Sequence, residues 1–324
     1  MKNDSLKRAA VMVLAGVILS GSASALFGKK TEVPEEGAPT VRDISISTYR
    51  GIPYSTQFLG SDGEGEDMTF AVVDQPRKGS VVIDGVNFTY TPDEGITGGD
   101  SFTYAATDTS GKISAPATVT VTIQKTRSGV TYADTDAKSA YAAQEMAEKG
   151  LFVGSKIGDQ YYFEPDRPVS RSEFLAMTME MSGREVTAVT MTGFSDDEAI
   201  PTWAKAYAAA GVADGIVQGT STETGVEFRG ADYITFNEAA ALLNRVLATG
   251  DVDLDVWYGD RESVPTWASQ AVGNLEAVSV LRTGSFGSDT MSQCMTRADA
   301  AEMLTSAAVL LEGEKPNTLF GWLK

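Results

Sequence analysis

Three four-residue motifs in the second half of the chain combine a hydroxyl with a carboxylate three positions later, and two of them place an arginine between. They are Ser170-Arg171-Ser172-Glu173, Thr235-Phe236-Asn237-Glu238 and Thr296-Arg297-Ala298-Asp299. A Ser or Thr followed three residues later by an acid, ahead of an apolar run, is the pattern of a helix capping box. We therefore expect these hydroxyls and carboxylates to cap helices, with each cap contributing about 1 kcal/mol.

The arginines of the first and third motifs are not explained by capping. Arg171 and Arg297 stand in the first turn of a predicted helix, where the macrodipole disfavours a positive charge by about 0.3–1 kcal/mol. One explanation is an external anion, such as a carboxylate that the guanidinium meets with two hydrogen bonds. The other is a solvated arginine paired with a nearby acid. Phe236 takes this place in the second motif, so we expect that site to be altered or unused.

The composition excludes several kinds of catalytic and metal-binding site. The 324 residues include 26 basic and 44 acidic ones, for a net charge of −18, and contain no histidine. The absence of histidine excludes Ser-His-Asp and Cys-His catalysis and histidine metal ligands. The acidic balance argues against nucleic acid and against adsorption to anionic membranes. We expect no enzyme, although paired carboxylates for glycoside hydrolysis remain as an alternative. Cys294 is the only cysteine, which precludes an intramolecular disulfide and predicts a small buried apolar residue.

The sequence Pro-Thr-Trp-Ala occurs twice, around Trp203 and Trp267, 64 residues apart. Each occurrence opens a segment with helical periodicity that ends in a glycine-rich loop. Both tryptophans could stack on sugar rings, but a Trp that opens an amphipathic helix is expected to pack in a core. In the corresponding place before the first motif, the spacing leaves Lys138 and Tyr141 as alternatives.

These segments form three copies of a unit made of a helix, a loop and a second helix, predicted over 131–183, 190–249 and 254–312. The loops of the first two copies have equal length, since nine residues separate Gly154 from Phe163 and Gly219 from Phe228. The third copy has lost part of its loop. Equal loop lengths indicate true repetition, because loops tolerate insertions better than helices do. The units open on Asp134, Asp196 and Asp260, which we expect to be turn or cap residues.

The copies resemble S-layer homology repeats. The resemblance rests on "GLFVG…FEPDRPVSRSEF", "FSDDEAIPTWA…GIVQG…FRGADYITFNEAA" and "PTWA…MTRADAAEML", and covers about residues 132–312. It implies an all-α domain with pseudo-threefold symmetry that binds secondary cell-wall polysaccharide, often pyruvylated, in grooves between repeats. The polysaccharide-binding residues that it implies here are Arg171, Arg297, Gly154, Glu173, Asp299, Trp203 and Trp267.

Short strands are predicted ahead of the repeats, over 40–125. In "GSVVIDGVNFTYTP" apolar residues alternate with polar ones on both sides of Asp84-Gly85, the expected two-residue turn. In "ATVTVTIQ" Val119, Val121 and Ile123 share one face. This pattern predicts an antiparallel β-sandwich. The run "FTYTPDEGITGGDSFTYAATD" resembles bacterial immunoglobulin-like and cadherin-like domains, which implies a spacer or adhesive module without catalytic residues.

Some domains of that kind bind calcium. The oxygen ligands available here are Asp62, Glu64, Asp67, Asp100 and Asp108. However, "SDGEGED" lacks the spacing of an EF-hand loop, and acidic residues are common in solvated turns. Calcium is therefore the weaker interpretation, and no other cofactor is expected.

The N-terminus has the pattern of a signal peptide: a basic start, an apolar run over 9–20 and a small-residue cleavage site at Ala25. We expect residues 1–25 to be removed, 26–39 to form a linker and 313–324 to form a tail. No membrane span is expected after cleavage. The sequence thus predicts an exported cell-surface protein, anchored to wall polysaccharide by the repeats and displaying the sandwich. The alternative is a structural subunit that self-associates into a surface layer.

Overall fold

The computed structural model describes residues 37–257, 265–282 and 284–314. The predicted signal peptide, most of the predicted linker, Asp260 and residues 315–324 of the tail lie outside these ranges. The chain divides into two compact units, and the described residues of the first are 37–129 and 136–144. Those of the second are 130–135 and 145–314, apart from the gaps given above.

The first unit is the predicted all-β sandwich. Its strands are β1 (Thr40–Val41), β2 (Ile44–Tyr49), β3 (Tyr54–Gln57), β4 (Gly60–Ser61), β5 (Thr69–Asp74), β6 (Gly79–Asp84), β7 (Asn87–Pro92), β8 (Gly98–Thr107) and β9 (Ala117–Gln124). One sheet has the order β2-β9-β8-β5, the other has the order β3-β7-β6, and β1 pairs with β4. The expectation of a purely antiparallel sandwich is wrong at one place, since β2 and β9 are parallel. These strands are far apart in the chain, so no tight hairpin forces them to be antiparallel.

The core of the sandwich follows from the alternation along its strands. Val119, Val121 and Ile123 of β9 are buried, as predicted, and Phe88 and Tyr90 of β7 are buried with them. Because successive strand residues point to opposite faces, one set of apolar side chains fills the space between the two sheets. The outer face of β9 carries threonines instead.

The hairpin between β6 and β7 turns one residue later than predicted. Asp84 pairs with Asn87, so the two turn residues are Gly85 and Val86. Gly85 has φ of 60°, a left-handed conformation that glycine adopts without the steric cost of a side chain. Asp84 therefore ends β6, and Gly85 alone supplies the special conformation that the turn requires.

The second unit contains two small hairpins, the last four residues of the first helix of the chain and all of the helices that follow. The helices of the chain are α1 (Ala140–Glu148), α2 (Arg171–Ser182), α3 (Thr202–Ala213), α4 (Phe236–Leu247), α5 (Leu254–Trp257), α6 (Thr266–Ala277) and α7 (Arg297–Glu314). The hairpins are β10 (Ser155–Ile157) with β11 (Gln160–Tyr162) and β12 (Thr220–Thr222) with β13 (Gly225–Glu227). Within the described ranges, every helix is too short or too polar to span a bilayer.

The first helix of each copy is followed by the same turn. Gly150, Gly215 and Ser279 all have positive φ, and the two amides after each donate to one carbonyl in the preceding helix. This shared geometry aligns the copies. Counting back twelve residues from each turn gives the two tryptophans of the Pro-Thr-Trp-Ala sequences and, in the first copy, Lys138. Lys138 is therefore the counterpart of the tryptophans, and Tyr141 is not.

The second helix of each copy begins with the predicted reciprocal cap. The Ser170 hydroxyl accepts from the Glu173 amide at 3.2 Å, and the Glu173 carboxylate accepts from the Ser170 amide at 2.8 Å. The same exchange joins Thr235 to Glu238 at 3.3 and 2.9 Å, and Thr296 to Asp299 at 3.2 and 2.8 Å. The capping prediction is confirmed, and the shorter aspartate of the third copy makes the same pair of hydrogen bonds as the glutamates of the other two.

The segments that lead into these three helices are joined in a closed ring of main-chain hydrogen bonds. The amide of Val169 donates to Met295 at 3.0 Å, that of Met295 to Ile234 at 2.9 Å, and that of Ile234 back to Val169 at 3.0 Å. All three side chains are buried. We name Val169, Ile234 and Met295 the central ring. Each copy therefore contacts both of the others through its main chain.

Cys294 is exposed, so the expectation of a buried cysteine is wrong. The residue lies in the extended segment that precedes α7, next to Met295 of the central ring. Because neighbouring residues of an extended segment point to opposite sides, the burial of Met295 turns Cys294 outward.

Candidate binding pocket

A pocket of about 340 Å³ lies in the second unit, and all three copies contribute to it. The first turn of α2 provides Arg171, α4 provides Glu238 and Arg245, the turn after α3 provides residues 216–220, and α6 provides Trp267. The charged residues among its described lining are two arginines and one glutamate, for a net charge of +1. The pocket is thus locally positive in a chain with a net charge of −18.

Arg171 enters the pocket already paired. Its Nη2 lies 2.5 Å from Oε1 of Glu238, and its Nε is buried without a hydrogen-bond partner among the described residues. The main chain positions it, since the Arg171 amide donates to the Asp232 carbonyl at 2.9 Å and so brings α2 against the entry to α4. Burial alone would raise the pKa of Glu238, but hydrogen bonds from the Thr235 amide and from Arg171 outweigh it and lower that pKa. Glu238 is therefore ionised and compensates Arg171.

Arg245 is the functional candidate that sequence reasoning missed. Its Nη1 donates to the Ile216 carbonyl at 3.0 Å, and its Nη2 donates to Oε1 of Gln218 at 3.2 Å. Both acceptors are uncharged, and within the described part of the chain Arg245 makes no ion pair. An arginine in the last turn of a helix is already explained by the macrodipole, so its position alone does not indicate a binding role. One signal was present in the sequence. Arg245 lies seven residues after Glu238, which places both residues on the same face of α4, two turns apart.

The two repeated tryptophans are exposed, so the core-packing interpretation is wrong. Trp203 is 51% exposed and Trp267 is 59% exposed, whereas the next residues, Ala204 and Ala268, are fully buried. Successive residues on a helix are turned about 100° apart, so the buried alanine directs the neighbouring tryptophan to the surface. Trp267 lines the pocket with Arg171, and Trp203 lies outside it.

Arg297 is held inside the fold and does not line the pocket. It is 4% exposed, and its Nη1 donates to the Phe163 carbonyl at 2.5 Å. Its guanidinium carbon lies 4.6 Å from the ring centre of Phe152, which is a cation–π contact, and Oε2 of Glu164 is 3.4 Å from Nη1. Burial and the charge of Arg167 lower the pKa of Arg297, while Glu164 opposes that shift. Arg297 thus fits neither sequence interpretation, because it is buried and contacts the chain itself.

The other predicted binding residues hold local structure. Gly154 has φ of 71°, and a Cβ added there would lie 2.2 Å from the Tyr162 carbonyl oxygen, so the start of β10 requires glycine. Glu173 and Asp299 cap α2 and α7, and Glu173 also accepts from Arg167 at 3.1 Å. None of these three residues is among the described residues that line the pocket.

Within the described residues, the carboxylates that open the first two copies do not make the local turn or cap bonds that were predicted, because they accept from backbone amides 29 to 33 residues further along the chain. The Asp134 carboxylate accepts from the amides of Phe163 and Glu164 at 2.8 and 2.7 Å. Asp196 accepts in the same way from Phe228 and Arg229 at 2.9 and 2.8 Å. Each aspartate therefore ties the end of a hairpin to the start of its copy. Asp260 lies outside the described residues.

The acidic side chains of the sandwich do not converge on a calcium site. Across the described ranges, no group of three or more acidic or cysteine side chains could hold a metal ion, and this includes Asp62, Glu64, Asp67, Asp100 and Asp108. Several of their oxygens accept hydrogen bonds instead. Asp62 accepts from the amides of two residues in its own loop, and Asp100 accepts from the hydroxyl of Tyr90 at 2.8 Å. These carboxylates order turns and strand ends.

Comparison with known proteins identifies the first unit. Residues 36–123 match the family described as Bacterial Ig domain, so this part of the chain is a bacterial immunoglobulin-like domain. No curated protein matches the chain at a significant level.

Solved structures with some likeness include an endo-fucoidan hydrolase of glycoside hydrolase family 107, with 17% identity over 29% of this chain and 14% of that chain, and a TM-score of 0.25. The fibronectin(III)-like modules of Clostridium thermocellum CbhA are 16% identical over 27% of this chain and 47% of theirs, with a TM-score of 0.20. The sialic acid binding region of a Streptococcus sanguinis adhesin is 15% identical over 47% of this chain and 42% of that chain, with a TM-score of 0.19. This chain spans less than half the length of each, and likenesses this weak carry no functional argument.

Proposed function

We propose that this chain is an exported cell-surface protein that binds an acidic wall polysaccharide through its helical unit and displays an immunoglobulin-like domain. The observation that carries the proposal is the pocket. It has a net positive charge, is walled by all three copies and is flanked by the exposed indole of Trp267, in a chain that is otherwise strongly acidic.

The chemistry of the pocket suits a saccharide with acid groups. A guanidinium can meet a carboxylate of a uronate or of a pyruvate ketal with two parallel hydrogen bonds. An exposed indole offers an apolar face to the carbon–hydrogen face of a sugar ring. The overall negative charge does not prevent this contact, because charges more than about 8 Å away are largely screened at physiological salt.

The resemblance to S-layer homology repeats supports the same ligand class. Three copies, each with a first helix, a turn of shared geometry and a capped second helix, are compatible with the pseudo-threefold fold of that family. We propose one competent pocket per chain. Arg297 is buried and Phe236 replaces the arginine in the remaining copy, which leaves Arg171 at the one pocket described above.

Export and the absence of catalysis are part of the proposal. The N-terminal pattern of a signal peptide motivates export, and a bacterial immunoglobulin-like domain is common in surface proteins. We propose that this domain acts as a spacer or adhesive module and that neither unit is catalytic.

The test is co-sedimentation of the purified protein with wall sacculi, before and after mild acid removes ketal-linked pyruvate. We expect retention by intact sacculi and much weaker retention by the treated ones. Arg171→Ala and Trp267→Ala should weaken retention, whereas the matched change Phe236→Ala should not. Equal retention of all variants would refute the assignment of the pocket.

A sedimentation run without wall material tests the alternative of a self-assembling surface layer. A wall anchor should stay at constant size as its concentration rises. If the protein instead grows into large particles without sacculi and is not retained by sacculi, the wall-anchor function is rejected in favour of a self-assembling layer subunit.

A further inference from the structure

We infer that Arg245 of α4, and not the motif arginine Arg171, is the residue that binds the acid group of the ligand in the pocket. The inference rests on the acidic ligand class of the proposed function. It concerns which of the two guanidinium groups provides the recognition, and therefore which substitutions should abolish it.

The charge balance within the pocket favours Arg245. Arg171 and Glu238 form an ion pair at 2.5 Å, so together they add no net charge to the pocket, and the Arg171 guanidinium already has an anionic partner. The positive charge that remains belongs to Arg245, whose two acceptors, the Ile216 carbonyl and the Gln218 side chain, carry no charge. An approaching anion is therefore attracted chiefly to Arg245.

Arg245 also has donors available and a defined orientation. A guanidinium has five N–H donors, and the two hydrogen bonds above occupy one each on Nη1 and Nη2. The side chain is exposed at the pocket, so the remaining donors can reach a ligand. Because the chain itself already holds the guanidinium, binding loses less side-chain freedom than it would with a loose arginine.

Glu238 competes with an acidic ligand for Arg171. A ligand carboxylate that bound Arg171 would have to displace Glu238, which is partly buried and also accepts from the Thr235 amide that it caps. Separating a partly buried pair leaves one charge uncompensated, which is costly. Replacing Glu238 by glutamine should therefore free Arg171 and raise the net charge of the pocket from +1 to +2, strengthening the binding of anions.

A purely structural role for Arg245 would give different results. Its bond to the Ile216 carbonyl ties α4 to the turn that follows α3, so losing it could disturb the pocket without any contact with the ligand. Arg245→Lys separates the two roles. Lysine keeps the positive charge but loses the planar arrangement of donors. If the positive charge at this position recognises the acidic ligand, Arg245→Lys should keep part of the binding that Arg245→Gln loses.

The experiment uses the full-length chain and trigalacturonate as probe, with the carboxyl-reduced trisaccharide as the neutral comparison, and measures Kd from the change in tryptophan fluorescence. We expect Arg245→Gln to weaken trigalacturonate binding at least tenfold, Arg171→Gln to weaken it by a clearly smaller factor, because a ligand-facing charge is then lost only indirectly, and Glu238→Gln to tighten it. Arg184→Gln, at an ion pair outside the pocket, is the matched control and should leave Kd unchanged. Thermal unfolding of each variant identifies any loss of fold.

A loss at Arg171→Gln equal to or greater than that at Arg245→Gln overturns the inference, and so does a wild-type protein that does not distinguish the acidic from the neutral trisaccharide. Sacculus binding is scored separately. Trigalacturonate binding that depends on Arg245, without retention by sacculi, would support the inference and reject the wall-anchor function. If sacculi retain the wild type and Arg245→Gln equally well, that result supports the wall-anchor function and rejects the inference about Arg245.

Discussion

At the scale of single residues, the second position of the three capping motifs is used differently in each copy. Arg171 lines the pocket, Arg297 is buried against Phe152, and Phe236 carries no charge. The local sequence does not distinguish the two arginines, because each directly follows a capping Ser or Thr. Their difference comes from a neighbour in another copy. Phe152 stands where the second copy has Val217, as their equivalent turn hydrogen bonds show, and it packs on Arg297. Such a long-range neighbour cannot be read from local spacing.

Gly154 provides a prediction at this scale. In Gly154→Ala the new Cβ would lie 2.2 Å from the Tyr162 carbonyl oxygen, in a backbone with φ of 71°. Gly158→Ala is the matched control, since its φ is 62° but its Cβ would meet nothing within 4 Å. The left-handed conformation alone costs about 1–2 kcal/mol for a non-glycine residue. We expect Gly158→Ala to lose about that much in the free energy of unfolding, measured in urea, and Gly154→Ala to lose clearly more. Equal losses would show that β11 moves freely away from the new methyl group.

At the scale of elements, the features that depend on short stretches of sequence were predictable. The capping boxes link residues only three apart, and the burial of alternate residues in β9 depends on one strand. The hairpins β10–β11 and β12–β13 were predicted as loops, because three-residue strands carry too few residues to show alternation. The exposure of the tryptophans was missed because the face of a helix that is buried depends on what packs against it.

The N-terminus of α4 gives the prediction for this scale. Glu238 caps the helix and pairs with Arg171, and its pKa is lowered from its ordinary value of 4.5. A carboxyl group with a lowered pKa in the folded state stabilises the fold above its unfolded pKa, and this stabilisation is lost as the pH falls through the folded value. We expect wild type to exceed Glu238→Gln in the free energy of unfolding at pH 7 and the difference to shrink below about pH 4.5.

Urea unfolding of both proteins from pH 7 to pH 3 measures that difference. Glu302→Gln is the control, because its exposed ion pair with Arg282 should contribute only about 0–1 kcal/mol. A difference between wild type and Glu238→Gln that stays constant down to pH 3 would mean that the charge of Glu238 is not what stabilises α4.

At the scale of the whole chain, the division into a strand-rich part and a helical part was visible from the change in periodicity. The central ring was not. Its three hydrogen bonds join residues that are 65, 61 and 126 positions apart, and no local pattern specifies which main-chain groups meet across such distances. The pocket depends on the same contacts, since they bring α2 against the entry to α4. The sequence could therefore name Arg171 and Trp267 separately but could not predict that they line one pocket.

The ring predicts a pattern of amide hydrogen exchange. Val169, Ile234 and Met295 are buried and bonded to one another, so none of their amides should open unless the three copies separate. We expect these amides to be among the slowest to exchange in the helical unit and to share one opening free energy. Amides of the exposed strand β12 should exchange much faster. Much faster exchange at Val169 than at Met295 would show that the first copy opens independently of the third.

The closure of the ring also bears on how this protein can vary in evolution. Repeats that stack in an open row, each touching only its neighbours, can gain or lose members at either end. Here the first and third copies are joined directly, through Val169 and Met295, so the row has no free end to receive another member. A fourth copy would have to break an existing bond of the ring to enter. We therefore expect copies to be gained or lost as whole triplets, and insertions or deletions within one triplet to fall in its loops, as in the shortened loop of the third copy.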